Sequence, residues 1–348
     1  LSAKLNGPKR ALTAILNARL IALIDLLIIK AEDVIKSLGI LAPLMVVRGD
    51  GALISAAQAR DKPIETILSG PAASIVGARW LTGETEAIIS DIGGTTTDIA
   101  VLMGGKPAID PRGASVGPYR TMVEAVAMYT FGLGGDSEVK LQVEGLGGDI
   151  FLGPKRVIPI SLAAEIEPDT IHQTLDSQLK NETPNDFDAR FIRRTRASTE
   201  PVLSERDDKV YRRIGEQFYP MSEVVKSRLD LQSVVKLVSM GVVQISALTP
   251  SDASHVLGKS NAWDKNAAIK AVDLFARRRG GSGELLADST SQMAERIVCQ
   301  LTEQTSSSIL EMAFSEEKVD FGDKPHVLAK HPLTQFGLAG YHDLIKVN

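Results

Sequence analysis

Residues 88–103 read IISDIGGTTTDIAVLM. Two apolar runs, each long enough for a strand, flank Gly93-Gly94 and three threonines, with Asp91 before the turn and Asp98 after it. Isoleucine, valine and threonine favour extended backbone, and glycine reverses the chain at little steric cost. The stretch therefore predicts strand, tight turn, strand. Gly104-Gly105 then turns the chain again into KPAI.

The Gly93-Gly94 turn is richer than a turn requires. Successive N–H groups of Gly93, Gly94 and Thr95 facing one concavity would form a nest for phosphate oxygens. The hydroxyls of Thr95, Thr96 and Thr97 add donors. Asp91, at the strand end, suits Mg²⁺, which keeps much of its hydration and takes few carboxylates. The sequence contains no G-x-x-x-x-G-K-[ST], so this is a phosphate hairpin and not a P-loop. A hairpin whose glycines serve only the turn stays open on composition alone. A second glycine-rich run, Gly132, Gly134 and Gly135 followed by Ser137, weighs against it, and a third cluster lies in EGLGGDIFLGP.

Around the hairpin the chain alternates helices and strands. Residues 8–38 predict one long helix, with Leu12, Ile15, Leu16, Leu20, Leu23 and Leu27 at helical spacing and Gly39 as its stop. Within AILNARLIALIDLLIIKAEDVI the longest uncharged run is five residues. A span needs roughly 18 apolar residues with few charges, so a buried amphipathic helix is expected. The chain begins at Leu1 without a Met, and an upstream segment is expected. APLMVVRGDGALIS reads as strand, turn, strand, so Arg48-Gly49-Asp50 is a turn and not an adhesion motif. Ser69-Gly70-Pro71 opens a helix with Ser69 either as N-cap or as a ligand-facing hydroxyl. Small residues Ala72, Ala73, Gly77 and Ala78 would let a neighbour approach. Residues 165–200 read as a polar, irregular or helical excursion. Residues 204–248 predict three short helices, the first capped by Ser204, and a strand, a winged-helix-like module. Two helices, the first capped by Thr249 or Ser251, and a further long helix follow.

The 348 residues carry a net charge of −4, and 44% are hydrophobic. No global basic field draws the chain to nucleic acid or an anionic membrane. The winged-helix-like segment has seven Lys/Arg against six Asp/Glu, whereas a DNA-reading module needs a basic stripe. It is read as a structural or docking insert. Cys299 is the single cysteine, which excludes an intramolecular disulfide and fits a cytoplasmic setting.

SGPAASIVGA followed by IISDIGGTTTDIAVLMGGKPAI resembles the hydantoinase A/5-oxoprolinase family, strongly over residues 8–155 and more weakly in LTPSDASHVLG. The resemblance implies an α/β fold: a ribonuclease-H-like lobe of the actin-like ATPase kind, with a mainly helical, winged-helix-like insertion. It divides the chain into a linking segment over 1–86, a phosphate-loop lobe over 87–164, an insertion over 165–248 and completing helices over 249–348. The function it implies is ATP-dependent hydrolysis of a cyclic amide of hydantoin or 5-oxoproline type. ATP would phosphorylate the ring carbonyl oxygen and water would open the ring. Asp91 and Asp98 take the catalytic positions, with Asp91 on Mg²⁺. Gly93, Gly94, Thr95, Thr96, Gly132, Gly134, Gly135, Ser137, Ser69 and Gly70 take the nucleotide. The implied partners are a small cyclic amide and a hydantoinase B-type subunit in an oligomer, with neither nucleic acid nor membrane. Two departures matter. Relatives carry Asp-x-His where this chain has Ala127-Met128-Tyr129, and Gly-Gly-Gly-Ser where it has Gly134-Gly135-Asp136-Ser137. The first phosphate loop is absent, and FGLAG at 336–340 is the one candidate remnant of an adenosine segment. A nucleotide-binding regulator, or an activator ATPase without ring-opening chemistry, is the alternative.

Elsewhere, Asp252 and His255 at i, i+3 could share a helix face as an acid–base or metal pair, or simply bond locally. Cys299 reads as a buried small hydrophobe. Arg277, Arg278 and Arg279 read as a cationic helix end.

Overall fold

The structure is a computed structural model that describes residues 5–116, 118–142, 149–195, 201–281 and 283–317. The third glycine cluster at 145–148 and the FGLAG segment lie outside them. The chain divides into two compact units, one formed by residues 1–91 and 98–131 and the other by 92–97 and 132–348.

The first unit opens with α1 (Gly7–Ser37), whose Asn6 side chain accepts the Lys9 N–H and whose end is followed by Gly39 at φ 71°. The helix is as predicted, but its burial is not. Only Thr13, Asn17 and Ile28 are buried along it. Ile15, Leu23 and Leu27 are each about 60% exposed (59%, 63% and 60%). The helix is apolar nearly all round, so spacing alone could not choose the packed face. Polar anchors choose it instead. The Thr13 hydroxyl donates to Lys9 O and accepts the Met122 N–H, while Asn17 donates to Asp61 O and accepts the Ile64 N–H. By length and composition α1 passes as a candidate membrane span, with 17% of its most apolar window buried; the expectation of a buried helix is corrected.

Antiparallel strands β1 (Met45–Val47) and β2 (Leu53–Ser55) follow. In their turn Arg48 pairs with Asp50 and reaches Glu65, so the triplet is a turn as expected. Next come α2 (Ala56–Asp61), with a Ser55–Gln58 capping box, and α3 (Ser69–Thr82). Arg60 of α2 pairs with Asp25 and Glu32 of α1. The small-residue stripe of α3 is only partly used. Ala72 is fully buried, Ala73 is exposed, and nothing lies within 4 Å of a Cβ placed on Gly77.

Strands β3 (Ala87–Ile92) and β4 (Thr97–Met103) pair as predicted, and β5 (Lys106–Pro107) and β8 (Met128–Phe131) both pair with β4. β6 (Ser115–Val116) and β7 (Tyr119–Arg120) form a separate antiparallel hairpin. Ala72, Ile75, Ala100, Leu102 and Val126 close the core between α3 and this sheet.

In the second unit, β9 (Ser137–Gln142) pairs antiparallel with β10 (Asp149–Arg156), with a register shift between Leu152 and Arg156. Helices α4 (Ile160–Ile166) and α5 (Pro168–Leu179) lead to β11 (Phe191–Arg194). Where the sequence predicts an irregular or helical excursion over 165–200, the described residues form α5 and then a strand that is central in its sheet. Then come α6 (Glu205–Arg213), β12 (Tyr219–Pro220), α7 (Met221–Val224), α8 (Arg228–Ser239) and β13 (Val243–Ser246). Ser204 caps α6 as predicted, accepting the Asp207 N–H. The sheet runs β12-β11-β13, antiparallel throughout.

Successive strand residues face opposite sides, and β11 uses both. Phe191 enters a large core with Leu152, Ile171, Leu175, Phe218 and Ile297. Ile192 enters a smaller one with Val210, Met221, Val234 and Leu237. The unit is completed by α9 (Pro250–Val256), α10 (Lys265–Ala276) and α11 (Thr290–Glu317). The whole is a mixed α/β arrangement of small antiparallel sheets and many helices.

Candidate functional site

The hairpin turn is closed by the Gly93 N–H donating to Thr96 O at 2.9 Å. Its carbonyls are occupied by the second glycine loop: Gly135 N–H donates to Gly93 O at 2.9 Å, and Asp136 N–H to Gly94 O at 2.7 Å. The Thr97 hydroxyl, fully buried, donates to Leu133 O at 2.8 Å. Two loops separated in sequence thus stack backbone on backbone. That contact demands glycine: a Cβ on Gly134 would lie 2.4 Å from Gly93 O and 2.7 Å from Gly94 O.

The second loop is rigid in its own right. Gly134 N–H donates to the Ser137 hydroxyl at 2.9 Å, and Ser137 N–H returns to Gly134 O at 3.0 Å. Ser137 is 2% exposed, so its hydroxyl holds the loop together. From the far side Ser251, in the first turn of α9, donates both its N–H and its hydroxyl to Gly135 O, at 2.8 and 2.9 Å. The hydroxyl also reaches Asp136 Oδ1 at 3.3 Å. Arg156 Nη2 lies 3.2 Å from Asp136 Oδ2. Gly132 packs on Pro154, with the nearest atom 3.3 Å from an added Cβ.

What this scaffold offers to solvent is the tip. Gly93, Gly94 and Thr95 are exposed and Thr96 is half-buried. The N–H groups of Gly94 and Thr95 take no partner among the described residues. Two adjacent free N–H groups and two hydroxyls on a fixed turn suit an anion.

The remaining sequence-derived residues lie elsewhere. Ser69, Gly70, Asp91 and Asp98 belong to the first unit. Ser69 is not an N-cap: Leu68 occupies that position in the left-handed region, φ 63°, without a side-chain cap, and Ser69 is the first helical residue. Asp98 accepts the Thr130 hydroxyl at 2.6 Å, joining β4 to β8. Ala127-Met128-Tyr129 runs into β8.

Asp252 and His255 are both buried but do not pair. The Asp252 carboxylate accepts from the backbone and hydroxyl of Ser161 (2.8 and 2.6 Å) and of Thr249 (3.0 and 2.8 Å), and from Ile160 N–H (3.2 Å). Thr249, not Ser251, is the cap of α9. Burial pushes the Asp252 carboxyl above the usual range, against the pull of those donors. His255 places Nδ1 against Ser251 O at 2.7 Å, accepts Trp263 N–H at Nε2, and stacks on the Trp263 ring. It therefore secures the turn that carries Ser251. Cys299 is exposed rather than buried, because its position on α11 faces away from the Met293–Ile297 stripe. Arg277, Arg278 and Arg279 do not simply meet their own helix end. They donate to Leu179 O, Asn185 O and Gly283 O respectively.

Residues 10–163 match the hydantoinase/oxoprolinase family model. Both glycine loops and Arg156 lie inside that segment, whereas Ser251 lies outside it. Comparison with curated proteins finds no match. Among solved structures, a chain of acetone carboxylase, nucleotide-free and described under ATP-dependent acetone carboxylation, is similar over 83% of this chain at 18% identity and a TM-score of 0.44. This chain spans 30% of that one.

Sequence reasoning singled out both glycine loops but gave no sign that Ser251 and Arg156 contact them. Neither carries a local signal, since Ser251 meets Gly135 across 116 positions of sequence.

Proposed function

We propose that this chain is the second-phosphate-loop part of an ATP-dependent cyclic amidohydrolase of the hydantoinase/oxoprolinase kind, built on a ribonuclease-H-like lobe. The observation that carries the reading is the stack itself. Gly134 is obligatory against Gly93, the second loop fixes the hairpin, and the free N–H groups of Gly94 and Thr95 are left on the exposed tip. A fixed pair of donors needs no reorganisation when an anion arrives, which is where phosphoryl-transfer sites gain most.

In this reading Gly94, Thr95 and Thr96 hold phosphate oxygens, Gly134 and Gly135 pack on the hairpin, and Gly132 and Ser137 shape the second loop. Asp91 is the carboxylate assigned to Mg²⁺ and Asp98 the second acid of the motif. Ser69 and Gly70 are further nucleotide contacts. ATP, when bound, supplies the phosphoryl group that activates a ring carbonyl toward water. A small cyclic amide is the substrate, a hydantoinase B-type subunit the partner, and the cytoplasm the setting.

The decisive measurement is a thermal shift with ATP and Mg²⁺, compared with Asp91→Asn. A stabilisation that Asp91→Asn abolishes supports the reading; no shift, and no effect of the substitution, ends it. Stimulation of ATP hydrolysis by a hydantoin or by 5-oxoproline then separates the enzyme from a second reading, a nucleotide-binding regulator without ring-opening chemistry. Ala127-Met128-Tyr129 favours that second reading, because it places neither an imidazole nor a carboxylate at the start of β8.

A further inference from the structure

We propose that Arg156 is an anion-contacting side chain of the glycine-loop stack, held there by Asp136, and that an incoming polyphosphate replaces the Asp136 carboxylate as the partner of its guanidinium. The inference rests on the phosphate-binding reading of the stack and adds to it two residues whose roles the motif does not contain.

Arg156 ends β10 in register with Ser137. Its side chain is 62% exposed, yet both Nε and Nη2 are turned onto Asp136 Oδ2, at 3.3 and 3.2 Å. Asp136 is nearly enclosed, its side chain 11% exposed. The same Oδ2 lies 2.7 Å from where a Cβ on Gly94 would stand. One oxygen therefore touches both the guanidinium and the residue whose N–H is free at the tip.

A carboxylate is acceptor-only and cannot bond to phosphate, so Asp136 opposes an anion at this place. Arg156 favours one, because its planar fork matches phosphate through two parallel charge-assisted bonds. An ion pair with so exposed a cation is weak, and a multiply charged phosphate outcompetes a single carboxylate for it. Asp136 thus acts as a placeholder: it keeps the guanidinium beside Gly94 before the ligand arrives and yields it to the ligand.

The two residues must then act with opposite sign. Binding of ATP and of inorganic tripolyphosphate is measured by titration calorimetry, with Mg²⁺ present, for the unaltered chain and for Arg156→Gln, Arg156→Lys and Asp136→Asn. Arg156→Gln is expected to weaken both ligands by roughly tenfold or more, as the loss of a charge-assisted pair implies. Arg156→Lys should lose less. Asp136→Asn should tighten both several-fold, since its amide still accepts from Ser251 but no longer competes for Arg156. Unfolding midpoints without ligand accompany each variant, and Arg156→Lys carries the test if Arg156→Gln does not fold. If the Arg156 and Asp136 variants move affinity in the same direction, or neither moves it, the pair is only a structural ion pair and the inference is overturned while the stack reading stands. If the unaltered chain binds neither ligand, the stack reading itself falls, and this inference with it.

Discussion

Gly134 and Gly70 are the same residue under opposite constraints. A Cβ on Gly134 meets Gly93 O at 2.4 Å, backbone against backbone, whereas nothing stands within 4 Å of one on Gly70 in the first turn of α3. Gly134→Ala should therefore destabilise the chain by about 1–3 kcal/mol, the usual cost of forced overpacking, and abolish any shift given by ATP with Mg²⁺. Gly70→Ala should be neutral or stabilising by up to about 1 kcal/mol, because alanine suits a helix better than glycine. Urea unfolding of both variants checks the pair; equal losses would refute the contact. The spacing of the glycines was legible in the sequence, but which of them is touched was not. That depends on Asp136, Ser251 and Gly93 meeting in space, and no local pattern encodes it.

At the scale of elements, one prediction concerns the β6–β7 hairpin. Asp110 accepts from the Arg112 N–H and guanidinium and from Arg120, and those donors, Arg112 foremost, hold its pKa down to about 2 from an ordinary 3.8. A depressed acid stabilises the fold above its unfolded pKa and loses that contribution as pH falls through the folded value. Stability of the first unit should therefore decline between about pH 4 and pH 2, and Asp110→Asn should flatten that decline in an acid titration followed by circular dichroism. A second prediction concerns α9. Asp252→Ala strips partners from five donors shared between α4 and the α9 cap, and about 3 kcal/mol or more is the expected loss; a thermal midpoint near that of the parent would contradict it. Helices with clear caps, such as α6 after Ser204 and α9 with Thr249 as one of two candidate caps, were legible in sequence. Strand β11 was not. Its two apolar residues sit among Arg190, Arg193 and Arg194 and look like a polar segment. In the fold the Arg193 guanidinium lies over the Phe218 ring at 4.5 Å and that of Arg194 over Tyr211 at 4.2 Å, so the charges that make the segment look polar are themselves seated on aromatic faces.

On the scale of the whole molecule, the largest misfit between pattern and packing is α1, whose unpacked side carries Ile15, Leu23, Leu26 and Leu27. Contiguous exposed apolar surface attracts other apolar surface. The chain should bind a hydrophobic fluorescent dye in its folded state, and Leu23→Lys with Leu27→Lys should suppress that signal while moving stability by no more than about 0.5 kcal/mol per site. Undiminished dye binding would place the sticky surface elsewhere. The two faces of β11 have a consequence of another kind. Because Phe191 and Ile192 anchor adjacent cores, residues 201–248 are not a cassette that can be excised or transplanted intact. Cut free, they would leave behind the strand that is their inner wall, and the remainder would be left with an unlined face where Phe218 had been.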